Sequence, residues 1–78
     1  MMEIKVLGPG CKRCVQTAEL IATKAREMGV DVQVEKVTDI AVIMAYGVMS
    51  TPGVVVDGKV VHAGGLPTPD AIKNWLAA

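Results

Sequence analysis

Cys11 and Cys14 are the two cysteines of a 78-residue chain, and at a spacing of three they suit chemistry better than stapling. A bridge between them would close so short a loop that the chain-entropy formula gives roughly 2 kcal/mol, too little to organise a fold. Three uses of such a pair compete: a thiol-disulfide redox couple, a soft-metal site, or two inert thiols. A closed structural zinc site needs four ligands, and besides carboxylates the chain adds only His62 to the two sulfurs. The redox use is favoured by what surrounds the pair. Ile4, Val6 and Leu7 mark a strand over residues 3–7 that breaks at Gly8-Pro9-Gly10, and a helical stripe follows. The cysteines therefore fall where a strand hands over to a helix, with both sulfurs on one side of the first turn. Unpaired amides and the dipole at that helix start favour an anion. The intervening Lys12 and Arg13 add positive charge, so the nucleophilic thiolate of Cys11 is stabilised.

The elements that must hold this pair can be read along the chain. Val15, Ala18, Ile21, Ala22, Ala25 and Met28 recur at helical spacing, while Gln16, Thr17, Glu19, Thr23, Lys24, Arg26 and Glu27 fill the other face, and Gly29 ends the run. Residues 30–37 alternate as a second strand. Thr38 and Asp39 are good caps for a short helix over 40–46, which Gly47 closes. Val54-Val55-Val56 and Val60-Val61 flank Asp57-Gly58, a strong hairpin signal, and Gly64-Gly65 ends the hairpin. Thr68, Pro69 and Asp70 announce a last helix with Ile72, Trp75 and Leu76 on one face. The order βαβαββα predicts an α/β fold in which a four-stranded mixed sheet is flanked by helices, with the first two strands parallel and residues 1–78 forming a single domain.

Composition narrows the function classes. Apolar residues make up 51% of the chain, enough for one small core. Eight basic and eight acidic side chains cancel, which leaves no field to hold nucleic acid or an anionic membrane. Aromatics at 3% give no base-stacking platform, so the core is expected to be aliphatic. The uncharged run over 40–56 is slightly short for a membrane span and is broken by Gly47, Pro52 and Gly53; with no secretory signal at the start, a cytoplasmic protein is expected. Trp75 and Tyr46 read as packing residues and His62 as a surface histidine. Met28, Met44 and Met49 read as gap fillers, Met49 being nearest the active loop. The helix over 40–46 is apolar all round, which suggests a partner or dimer contact through Ala41, Val42 and Ala45.

Three stretches carry a family resemblance: Gly10-Cys11-Lys12-Arg13-Cys14, Tyr46-Gly47-Val48-Met49-Ser50-Thr51-Pro52, and residues 54–61 followed by Gly64-Gly65. Over essentially its whole length the chain resembles the thioredoxin/glutaredoxin superfamily, and within it the very small thioredoxin-like, redox-active disulfide proteins of bacteria and archaea. The resemblance implies a minimal thioredoxin fold and a thiol-disulfide oxidoreductase that needs no metal or organic cofactor. It makes Cys11 the exposed attacking thiolate, Cys14 the buried resolving thiol, and Thr51-Pro52 a cis peptide facing the disulfide. Gly10, Lys12, Arg13, Met49, Ser50, Thr51, Pro52, Gly64 and Gly65 would form the substrate-binding rim. The implied partners are a disulfide reductase and disulfide-bearing protein substrates. There are departures. Pro9-Gly10 stand where thioredoxins proper have a tryptophan ahead of the pair, Lys5 where they have a buried acid, and Gly8 and Leu66 where glutaredoxins hold glutathione. Residues 3–37 also resemble the heavy-metal-associated copper carriers, with Pro9 at that family's usual methionine. A soft-metal carrier and a redox-sensing, partner-binding module thus remain alternative readings of the same sulfurs.

Overall fold

A computed structural model describes residues 2–10 and 12–77. The elements are β1 (Met2–Leu7), α1 (Lys12–Met28), β2 (Val32–Val37), α2 (Ile40–Ala45), β3 (Gly53–Val56), β4 (Lys59–Ala63) and α3 (Pro69–Ala77). The strands form one mixed sheet in the order β2-β1-β3-β4. β1 and β2 run parallel, with Lys5 opposite Glu35, while β1–β3 and β3–β4 are antiparallel. This is the βαβαββα arrangement expected from the sequence.

Alternation along the strands builds two apolar clusters, one on each face. Ile4, Val6 and Val54 meet Ala18, Ile21 and Ala25 of α1 and Ile72 and Leu76 of α3. On the opposite face Leu7 and Val55 meet Ile43 of α2 and Val48 of the loop after it. The buried core is aliphatic throughout, and half-buried Trp75 packs at its edge. Glu35 and Lys5 pair across the strands at 4.0 Å, with both side chains more than one-third exposed, so the pair adds under about 1 kcal/mol.

Local chemistry fixes the ends of several elements. Asp39 caps α2 by accepting the Ala41 amide at 2.9 Å, and Thr68 caps α3 by accepting the Ala71 amide at 3.1 Å. The hairpin turns through Asp57 (φ 47°) and Gly58 (φ 85°), positive at both central positions as a type I′ turn requires. Asp57 also ties the turn to β1, its carboxylate and its amide both engaging the Glu3 backbone. No helix among the described residues is long and apolar enough to cross a membrane.

Two expectations about burial change, while the apolar surface of α2 stays open. The buried stripe of α1 is Cys14, Thr17, Ala18, Ile21 and Ala25, so Thr17, read as part of the polar face, is fully buried. Met44 and Met49 are not gap fillers: they are 69% and 97% exposed. Of the α2 side chains only Ile43 is buried, and Ala41, Val42 and Ala45 are all exposed. A single contact with Leu7 and Val55 is enough to hold so short a helix against the sheet, which leaves the rest of its apolar surface uncovered in the lone chain.

Candidate functional site

The site gathers where β1 ends and α1 begins. Cys11, predicted as the nucleophile, lies outside the described residues. Cys14 lies within the first turn of α1, is 3% exposed and is disulfide-bonded. Its sulfur comes up against Gly8, the first residue beyond β1. A Cβ added to Gly8 would clash with Cys14 Sγ and would stand 3.3 Å from Cys14 Cβ and 3.6 Å from Thr51 Cβ. Gly8 is itself buried and held by its amide on the Val37 carbonyl at 2.9 Å, so it has nowhere to retreat. Only a residue without a side chain lets this sulfur reach the end of the central strand.

One turn below, Thr17 donates its hydroxyl to the Arg13 carbonyl at 2.7 Å. A buried hydroxyl needs such a partner, and the i−4 carbonyl of its own helix is the nearest acceptor. The first turn of α1 thus carries an internal tie beside Cys14. Lys12 and Arg13 are exposed, and no acidic residue occurs in this turn. Cations at a helix N-terminus oppose the dipole, and they serve instead to favour an anion placed there.

The facing wall is the loop into β3. Pro52 is fully buried and its bond to Thr51 is cis. Thr51 is half-buried, Ser50 is exposed, and Met49 projects almost wholly into solvent. The turn after β4 closes against this loop. Gly64 donates its amide to the Pro52 carbonyl at 3.0 Å, and a Cβ on Gly64 would meet Ser50 Cβ at 3.0 Å. Gly64 (φ 84°) and Gly65 (φ 70°) both sit in the left-handed region, which explains two consecutive glycines.

Of the residues predicted from sequence, the contacts bring Cys14, Ser50, Thr51, Pro52 and Gly64 together. Gly10, Lys12, Arg13 and Met49 stand exposed around them, and half-buried Gly65 borders Gly64. The sequence reading missed two members, Gly8 and Thr17. In the sequence Gly8 reads as a break in the strand, and only its contact with Cys14 across space reveals its role. Thr17 lies at i+3 from Cys14 and i−4 from Ile21, a spacing that could have placed it on the buried stripe. His62 also departs from its reading as a surface histidine: it is half-buried within β4, with its Nε2 3.0 Å from the Gly65 carbonyl and its ring against Trp75.

Comparison with known proteins agrees with this geometry. The family model described as thioredoxin domain matches residues 2–77. A thioredoxin of Methanocaldococcus jannaschii is 38% identical over 76 residues, covering 97% of this chain and 87% of that protein. A thioredoxin of Methanothermobacter thermautotrophicus is 30% identical over 77 residues, covering 99% of this chain and all of that protein. With a family match along nearly its full length, a buried disulfide-bonded cysteine at the start of α1 and a four-stranded mixed sheet behind it, the chain belongs to the thioredoxin domain family.

Proposed function

We propose that the protein is a thiol-disulfide oxidoreductase that reduces disulfides of other proteins through Cys11 and Cys14. The observation that carries this reading is the seat of Cys14: a buried sulfur, in a disulfide, lodged against a glycine at the end of the central strand and beside Thr51. A resolving thiol belongs in such a place, shielded from solvent yet one helical turn from its partner in sequence. The names of the two archaeal relatives support the same chemistry.

In the proposed cycle the Cys11 thiolate attacks one sulfur of a substrate disulfide. A bond forms between Cys11 and that sulfur as the substrate's own bond breaks, and the released substrate sulfur leaves as a thiolate and takes up a proton. Cys14, deprotonated, then attacks Cys11. The intramolecular disulfide forms, the mixed disulfide breaks, and the second substrate thiol departs. Two electrons and two protons have passed to the substrate, and a disulfide reductase returns them to the pair. The exposed Lys12 and Arg13 at the helix start favour the attacking anion. The rim of Met49, Ser50 and Thr51 meets the incoming chain.

A coupled disulfide-reduction assay tests the proposal, run on wild type and Cys11→Ser with thioredoxin reductase and, separately, with glutathione as the source of electrons. Wild type is expected to turn over with one of these, and Cys11→Ser to fall to background. Equal rates for the two proteins would overturn the reading.

A further inference from the structure

We propose that His62 is a positioning residue of this site, holding the turn against which the Pro52 loop is set; the proposal rests on the disulfide-reduction reading above. The argument begins in the ladder between β3 and β4. Val56 pairs with Lys59 and Val55 with Val60, but Val54 then pairs with His62 and Gly53 with Ala63, which leaves Val61 as an extra residue on β4. In an unbroken ladder Val61 would stand opposite Val54 and His62 opposite Gly53, and the His62 ring would point to the face that α2 covers. The bulge moves it by one residue and so to the opposite face, a use of bulges common beside active sites. On that face Val61 joins the cluster beneath α1 and α3, and the His62 ring lies on Trp75 of α3 with centroids 5.8 Å apart at 52°.

From there His62 reaches the turn. Its Nε2 is 3.0 Å from the Gly65 carbonyl, and because a carbonyl can only accept, Nε2 carries the hydrogen and donates. The turn it grips consists of two glycines in the left-handed region, the residues with most backbone freedom to lose. That turn has one tie on each side: Gly65 to His62, and Gly64 through its amide to the Pro52 carbonyl. Ser50 packs against the same glycine. A chain of contacts therefore runs from Trp75 through His62 and Gly64–Gly65 to the loop that faces Cys14. Its outer end is an aromatic pair on the core and its inner end is the surface that a substrate chain must meet.

Three variants separate the parts of this device. His62→Ala removes both ring and donor, His62→Phe keeps a ring for Trp75 but no donor, and His62→Gln restores a donor at nearly the same reach. With insulin as the protein disulfide and dithiothreitol supplying electrons, and with dithionitrobenzoate as the small disulfide given in single turnover to protein reduced beforehand and freed of dithiothreitol, His62→Ala and His62→Phe are expected to raise KM for insulin about three- to tenfold, the range one neutral hydrogen bond supplies. Their kcat is expected to stay within about twofold and their reaction with dithionitrobenzoate to stay unchanged, because positioning affects only the extended substrate. His62→Gln should return KM to the wild-type value. Hydrogen exchange of the Gly64 amide gives a readout independent of activity, and it is expected to quicken in His62→Ala and His62→Phe but not in His62→Gln. A His62→Phe protein matching wild type in KM and in Gly64 exchange would overturn the proposal, as would an equal loss on both disulfides. Wild type inactive toward both disulfides would count against the oxidoreductase reading itself, and Gly64 exchange would still decide whether His62 holds the turn.

Discussion

Helices α1 and α3 pack on the same face of the sheet and share one core, yet they begin in opposite ways. At α3 every local preference is met: Thr68 accepts the Ala71 amide, Pro69 occupies the first helical position and Asp70 faces the positive end of the dipole. At α1 the first turn holds Lys12 and Arg13 and no acid. Each such charge is worth about 0.3–1 kcal/mol near a helix end, favourable at α3 and unfavourable at α1. What anchors α1 is burial, a stripe from Cys14 to Ala25 of five buried residues, whereas α3 buries only Ile72 and Leu76. A helix held by its side can tolerate an unfavourable beginning. The start of α1 is thereby left open to an anion, and the start of α3 is spent on stability.

The largest expected effect comes from breaking the one contact at α1 that has no counterpart at α3. Gly8→Ala presses a methyl group into the Cys14 sulfur, inside contact distance, between a strand and a helix that are both fixed. Overpacking of this kind costs about 1–3 kcal/mol, read as a lower urea midpoint at unchanged slope. Re-formation of the disulfide from the dithiol is expected to slow as well. A Gly8→Ala protein within about 0.5 kcal/mol of wild type would mean that the sulfur has room to move. Next in size is the cap at α3. Thr68→Ala is expected to cost about 1 kcal/mol in the same unfolding measurement, with Thr68→Ser close to neutral. Thiol reactivity should not change in either variant, since that helix start serves stability alone. A change in cysteine alkylation rate on removing Thr68 would erase the contrast.

Much of this arrangement is legible in the sequence because much of it is local. Asp39 and Thr68 cap the helices they precede, and Asp57-Gly58 turns the hairpin, all within a few residues of the chemistry that dictates them. The features that sequence does not reveal depend on contacts across space. Thr17 looks polar, and although its spacing from Cys14 and Ile21 fits the buried stripe, which face of α1 is covered is settled only where the helix meets the sheet. Gly8 looks like a strand break until the sulfur of Cys14 is placed beside it. His62 reads as a surface histidine, and its place against Trp75 depends on one extra residue at Val61, which reverses the parity of β4 beyond it. Met49 follows the same lesson in reverse: its type suggests core filling, but the loop that carries it turns outward once Val48 and Pro52 on either side are buried.

The smallest effect is the most direct test of why the two helices differ. Reversing the charges at the start of α1, in Lys12→Glu with Arg13→Glu, should bring that start into line with α3. If its cations oppose the dipole, the reduced protein gains about 0.3 kcal/mol per reversed residue at low salt, the low end of the range because both side chains are exposed. The gain should shrink as salt rises toward 0.1 M, where the screening length falls to about 10 Å. The same change takes away the positive charge beside Cys11, so alkylation of that thiol by neutral iodoacetamide at pH 7 should slow. Asp70→Lys at α3 is the mirror experiment, with a similar loss of stability and no change in alkylation. The two readouts must move in opposite senses at α1, stability up and reactivity down. A charge reversal there that lowers stability, or leaves the thiol as reactive as before, would show that Lys12 and Arg13 are ordinary solvated residues and that the contrast between the helix starts has no bearing on the chemistry.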